Sequence, residues 1–474
     1  MAADATLIAK SAVEIIALLK RGDVSPLDLI DTLEQRIAAV EPAINALPTL
    51  CLERARDHAR RLMKTKPGDR GPLAGLPIPI KDLVPVAGVR TTFGSPIFAD
   101  FVPEDSESIV VRLEDRGGIV YAKSNTPEFG AGGHTFNEVF GTTANPWNPA
   151  RSAGGSSGGA AAALASGCAW LAHGSDLGGS LRIPASFCGV VGLRPSPGRV
   201  PSGPDSYPYG LMAVEGPMAR NVTDAALALD AMTGPDGTVP FATADSGGAF
   251  LAAARDPRKP GRIAFSLDLG LTVVDAEVEA VIRQAVARVQ GAGFEVVEAC
   301  PDLTGVVETF HVLRAVAYAV SNAPLLEEHR DLLKPEVIWN IEKGLALSGD
   351  AVIAAQHDQV RLFHATRAFM DTHDLLVCPA TIVPPFPAEE RYVTQCNGVA
   401  FESYIDWMAV AWGLTVVSLP VLAIPCGVTA DGLPVGLQIA GRPGGEADLI
   451  AMARTIEDAI GDWRPQTLPE HVVG

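Results

Sequence analysis

Positive charge is scarce in this chain. Lys and Arg number 37 against 55 Asp and Glu over 474 residues, a net charge of −18 with histidine neutral, which excludes a surface built to hold nucleic acid. Charged residues of either sign make up 19%, below the roughly 25% typical of soluble domains. Cysteine is sparse as well. Cys51, Cys168, Cys188, Cys300, Cys378, Cys396 and Cys426 are odd in number and widely spaced with no Cys-x-x-Cys pair, so neither a disulfide framework nor a zinc knot is indicated, and the thiols are expected to be reduced and mostly buried. No Ser/Pro-rich linker, charge block or internal repeat offers a place to divide the chain. Residues 1–10 lack a basic region followed by a long apolar stretch, so a secretory signal is not expected and a cytoplasmic location is. Long uninterrupted apolar runs are missing too. The uncharged stretches 152–175 and 407–430 are broken by Gly154, Gly155, Gly158 and Gly159, and by Gly413, Pro420, Pro425 and Gly427, which argues for buried helix or strand and against a membrane span.

What is present is apolar residues at 47%, with 47 Gly and 37 Pro, a turn-rich globular composition that leaves no room for disorder, coiled coil or collagen. Ser11 with Glu14 reads as a capping box for a helix that Gly22 stops. Ser25 and Pro26 open a second helix, with Leu27, Ile30, Leu33 and Ile37 at helical spacing up to Glu41. Short apolar runs bounded by Gly and Pro follow at 76–80, 119–122, 263–265, 375–377 and 435–439, the pattern of buried strands. Helical patterns at 108–116, 223–232, 276–289 and 447–460 lie between them, so an α/β layered sheet is expected. The 275–370 region is mostly helical and reads as a cover over one side of that sheet.

Two Gly/Ser loops carry the chemistry. Gly154-Gly155-Ser156-Ser157-Gly158-Gly159 runs into an alanine-rich helix, but no Gly-Lys-Ser/Thr follows, which argues against a phosphate cradle. Taken alone, such a loop serves a turn as readily as a site. Downstream, Asp176-Leu177-Gly178-Gly179-Ser180 sets a hydroxyl beside consecutive unhindered amides, the requirement of an oxyanion hole. Ser180 is therefore a candidate nucleophile. A serine needs a base, and of nine histidines His173 is nearest in sequence. Lys81 is the stronger candidate. It ends the apolar run 76–80, where burial would lower its pKa into a useful range, although a lysine marking a strand end at the surface reads locally the same way.

With these residues in view the sequence resembles the amidase signature hydrolases. The resemblance rests on Gly75-Leu76-Pro77-Ile78-Pro79-Ile80-Lys81-Asp82, the Gly-Gly-Ser-Ser-Gly-Gly loop, Asp176 to Pro184, Gly189 to Pro195, Ile424-Pro425-Cys426-Gly427 and Gly432 to Gln438. The intervals agree as well: 75 residues from Lys81 to Ser156 and 24 from Ser156 to Ser180. It covers roughly residues 8–240 and 370–462. It implies a single domain over 1–474, a layered α/β/α arrangement around a mixed, mostly parallel twisted sheet, with a core at about 65–240 and 370–462. It also implies a Ser–cis-Ser–Lys triad: Ser180 as nucleophile, Ser156 in a cis peptide as proton carrier, and Lys81 as base. The amides of Leu177, Gly178, Gly179 and Ser180 would hold the oxyanion. Ser157, Asp176 and Arg182 would fix the loops by hydrogen bonds and an ion pair, a role that plain structural pairing explains equally well. Leu177 stands where relatives often carry Thr or Ile, and His173 where many carry a small residue.

The activity so implied is hydrolysis of a small or aryl amide, with carbamates and esters open to the same acyl-serine chemistry. Two alternatives stand beside it. One is a glutamine-hydrolysing subunit of a tRNA-dependent amidotransferase, against which 315–365 lacks the expected tyrosine-rich pattern; the other is a non-catalytic scaffold, against which all three triad positions are intact. Phe129, Gly130, Tyr207, Tyr209 and Trp412 are candidates for an apolar substrate pocket, though such aromatics serve a core as readily. No metal or other cofactor is expected, since no His-Glu-x-x-His or carboxylate cluster is present. The expected partner is a small amide or carbamate, with a homodimer left open.

Overall fold

The N-terminal helices begin where their caps predict. In the computed structural model, which describes residues 4–203, 207–461 and 463, Ser11 and Glu14 exchange side-chain and backbone hydrogen bonds at the start of Ala12–Arg21, and Gly22 ends it at φ 78°. Ser25 and Asp28 repeat the device for Pro26–Ile44, which continues past the expected end through Pro42 to Asn45.

Two sheets follow. The first has three strands, β1 (Thr49–Leu50), β2 (Pro77–Lys81) and β3 (Ile119–Ser124), in the order β1-β3-β2. The second has eight: β4 (Leu171–Asp176), β5 (Val191–Arg194), β6 (Val214–Ala219), β7 (Ile263–Phe265), β8 (Val296–Glu298), β9 (Leu375–Pro379), β10 (Val421–Val428) and β11 (Pro434–Ala440). Their spatial order is β8-β7-β9-β11-β10-β5-β6-β4.

The sheet is mixed, as expected, but not mostly parallel. Only β7 with β8 and β7 with β9 run parallel, while the other five pairings are antiparallel. Connection length explains this. A parallel pair needs a long crossover, which the Ala276–Gly291 helix supplies between β7 and β8, whereas β10 and β11 are joined by a five-residue turn, 429–433, that can only reverse the chain. Lys81 departs from expectation too. Its strand belongs to the smaller sheet and lies against the edge strand β4 of the larger one, where the Lys81 N–H donates to His173 Nδ1 at 3.4 Å.

The two broken apolar stretches resolve into one helix and one strand each: Gly158–Ala165 with β4, and Ala409–Val416 with β10. Among the described residues no helix is long and apolar enough to cross a membrane. All seven cysteines are free, five of them buried, with Cys300 exposed. The cover consists of Val306–His329, Pro335–Leu345 and Gly349–Met370, and the 275–370 region also holds β8. An apolar cluster of Tyr318, Leu333, Val337 and Ile341 with Ala131 fastens the cover to the loop after Phe129. That loop borders the Ser156 motif.

Candidate active site

Every residue of β2 is buried, so Lys81 at its end enters the interior with its charge. Its ammonium meets hydroxyls there. Nζ donates to Ser156 Oγ at 2.7 Å, Ser157 Oγ at 2.9 Å and Ser175 Oγ at 2.9 Å. Burial pushes its pKa down to about 7, against the opposing pull of the Glu215 and Asp176 carboxylates. Near neutral pH the amine therefore exists in both charge states, beside a hydroxyl it can relieve of a proton.

Ser156 and Ser157 are delivered by the loop that starts the Gly158–Ala165 helix. The Gly155–Ser156 peptide is cis. Gly155 is there because the chain passes so close to the next loop that a Cβ would stand 2.7 Å from the His134 amide nitrogen. His134 is buried beneath it, accepting from the Ser152 hydroxyl at 2.7 Å and donating to the Ala388 carbonyl at 3.0 Å, and burial drives its pKa down to about 4. The Ser157 N–H donates to the Ser180 carbonyl at 3.2 Å, tying the two serine loops together.

Ser180 sits half-buried on the turn between β4 and the Arg182–Cys188 helix. That turn is organised by Asp176, which accepts from the amides of Gly179 at 2.9 Å and Leu181 at 3.1 Å, from Arg182 Nε and Nη2 at 2.9 Å each, and from Arg194 Nη1 at 3.3 Å. Burial alone would raise this carboxyl; the two guanidinium groups and the Gly179 amide outweigh it and hold it well below the usual carboxylate range. Arg182 also donates to Gln438 Oε1 at 2.7 Å and Thr415 Oγ1 at 2.9 Å, which locks the turn to β11 and the Ala409–Val416 helix. Of the amides expected to converge on an oxyanion, that of Gly179 is given to Asp176. Those of Gly178 and Ser180 have no protein acceptor among the described residues; Leu177 is half-buried on the same turn.

The pocket candidates divide. Gly130 borders Ser156, since a Cβ there would lie 3.4 Å from Ser156 Oγ. Phe129, at φ 47°, is half-buried beside it, and its carbonyl accepts from the Tyr318 hydroxyl at 3.2 Å. Trp412 is buried and stacks on Phe310 with ring centroids 4.6 Å apart and planes 4° from parallel, both next to Gly178. Tyr209 is not brought to the site: it is 70% exposed and edge-on to Phe241. Tyr207 lies on the same turn, its carbonyl accepting the Gly210 N–H, next to 204–206, which fall outside the described residues. His173 does not serve Ser180; its ring nitrogens face the Lys81 amide and Glu215.

Three contributors were missed in the sequence. Ser175 shares the face of His173, opposite Asp176, by alternation along β4, but the polar run 173–176 hid that strand. Arg194 stood in the 189–195 motif without a stated role, and Phe310 read as one more core aromatic of a helix. Among the described residues no three His, Cys, Asp or Glu side chains cluster as metal ligands.

Known proteins are similar to this chain along nearly its whole length. The model of the family described as Amidase matches residues 28–450. An acylamidase of Rhodococcus erythropolis is 36% identical over 458 residues, covering 96% of each chain. A glutamyl-tRNA(Gln) amidotransferase subunit from Synechococcus sp. (strain CC9902) is 35% identical over 479 residues, covering 93% of this chain and 94% of its own. The crystal structure of a bacterial aryl acylamidase of the amidase signature family superposes with a TM-score of 0.87 at 28% identity, over 95% of this chain and 96% of that one. The chain therefore belongs to the Amidase family of amidase signature enzymes.

Proposed function

We propose that the chain hydrolyses small or aryl carboxamides through an acyl-serine intermediate, with Ser180 as nucleophile, Ser156 as proton carrier and Lys81 as base. The observation that carries this reading is the 2.7 Å contact between a fully buried lysine amine and the Ser156 hydroxyl. Neutral Lys81 takes the Ser156 proton as Ser156 takes that of Ser180, and Ser180 Oγ bonds to the substrate carbonyl carbon. The negative charge on the carbonyl oxygen is met by amides of the 177–180 turn, for which those of Gly178 and Ser180 are free of other acceptors. The C–N bond then breaks. The leaving nitrogen receives a proton from Ser156, which Lys81 replenishes, and water attacks the ester by the same relay to release the acid. Ser157, Asp176 and Arg182 hold the two loops in register. Phe129, Gly130 and the Trp412–Phe310 stack favour a flat or apolar group, in keeping with the acylamidase and aryl acylamidase relatives; carbamates and activated esters fit the same chemistry.

A hydrolysis screen of the purified chain across acyl anilides, aliphatic amides, carbamates and nitrophenyl esters tests this reading, with turnover of the anilides expected. The second reading, a glutamine-hydrolysing subunit, draws support from the amidotransferase relatives. It requires glutamine turnover that depends on a partner. Anilide hydrolysis by the chain alone with no action on glutamine rejects it.

A further inference from the structure

Residues two apart leave a strand on the same face, and on paired antiparallel strands the diagonal neighbours are within reach of each other. In the β4–β6 pairing Ser175 stands opposite Glu215 and His173 opposite Pro217, so His173, Ser175 and Glu215 share one face. Lys81 touches that face twice, through Nζ to Ser175 Oγ at 2.9 Å and through its backbone N–H to His173 Nδ1 at 3.4 Å. Because Nδ1 accepts an amide proton, the ring's own proton sits on Nε2, which lies 2.7 Å from Glu215 Oε2. The N–H is not aligned along that contact and neither atom has another partner among the described residues. The carboxylate thus meets the Nε2 edge of the ring whose Nδ1 holds the Lys81 backbone.

The other charges around Lys81 are already matched. Asp176 on β4 is held by Arg182 from its helix and Arg194 from β5. Asp82, next in the chain, is paired with Lys123 of β3 at 3.2 Å. The 156–157 loop presents only hydroxyls. Among the described residues no lysine or arginine ion-pairs with Glu215, whose short contact is to His173 Nε2, and it is the carboxylate on the face that Lys81 meets.

We propose that Glu215 is a positioning residue for Lys81: its carboxylate stabilises the ammonium that forms in each turnover, and His173 links that carboxylate to the lysine's backbone. The arrangement does for a lysine base what a carboxylate behind a histidine does in a Ser-His-Asp triad. Burial disfavours the Lys81 cation, and Glu215 is the charge that most opposes this effect. The inference rests on the reading of Lys81 as base.

The test is the pH profile of kcat for acyl anilide hydrolysis by the full chain, in wild type, Glu215→Gln, Glu215→Asp and Lys81→Ala. Removing the negative charge lowers the pH at which Lys81 becomes neutral. The acid limb of Glu215→Gln is therefore expected to move down by about one pH unit, roughly tenfold in apparent acid constant, with a lower plateau, while Glu215→Asp keeps the limb near its wild-type position. A folded Glu215→Gln with an unmoved limb, or with the same proportional loss at every pH, overturns the coupling while leaving Lys81 as base. A fully active Lys81→Ala overturns the base reading itself. Should Glu215→Gln fail to fold, Glu215→Ser removes the same charge and is read in the same way.

Discussion

Lys81 Nζ lies 2.7 Å from Ser156 Oγ, a contact made where a fully buried strand of one sheet ends against the glycine-rich loop that leads into the Gly158–Ala165 helix. With a pKa near 7, set by burial, the amine is mostly protonated below that pH and mostly neutral above it. Activity on an acyl anilide is accordingly expected to rise through pH 7, and Lys81→Ala to lose at least about 10²-fold. A flat profile together with an active variant contradicts the assignment.

Ser175 offers a second check on the same amine. Its hydroxyl accepts from Lys81 Nζ at 2.9 Å, and a hydrogen bond to a charged group of this kind is worth enough that Ser175→Ala should lower kcat roughly tenfold with little change in KM. Steady-state kinetics decides it. An equal rise in KM at unchanged kcat would place Ser175 in substrate binding instead.

The Asp176 cluster predicts a stability effect. Asp176→Asn leaves Arg182 and Arg194, both fully buried, short of the anion between them, a loss on the order of 3–5 kcal/mol. Thermal unfolding should show the melting temperature falling by about 3–5 °C, with hydrolysis lost as the Ser180 turn loosens. A variant that melts with the wild type would show the cluster to be dispensable.

How much of this was legible in the sequence depended on what each signal reports. Lys81 could be singled out because a lysine ending an apolar run is costly unless used, and the two glycine loops because successive small residues permit close backbone approach. Strand direction could not be read. A strand buried on both faces is an apolar run whichever way its neighbour points, so the antiparallel majority was hidden although the five-residue link at 429–433 hinted at it. β4 and β6 escaped notice because Gly174, Ser175, Asp176, Glu215, Gly216 and Pro217 interrupt the apolar pattern, and two of those interruptions, Ser175 and Glu215, stand on the face that Lys81 meets. Tyr209 was chosen for its ring alone; nothing local distinguished a surface aromatic from Trp412, whose burial depends on Phe310 arriving from a distant helix.

His134 gives a pH-dependent stability. Its folded pKa of about 4 lies below the ordinary 6.5, so the unfolded chain takes up a proton first. The contribution is complete above about pH 6.5 and is lost as the pH falls toward 4, on the order of 3 kcal/mol. Urea unfolding at pH 7 and pH 4.5 should show stability falling less steeply in His134→Gln than in the wild type. Equal slopes in the two proteins would remove His134 from the account.

The central claim is that Ser180 is acylated, and intact-protein mass spectrometry after treatment with a fluorophosphonate or sulfonyl fluoride probe addresses it most directly. One adduct per chain on wild type, mapped to the peptide bearing Ser180 and absent from Ser180→Ala, is the predicted result. Stoichiometric labelling that persists in Ser180→Ala would contradict it.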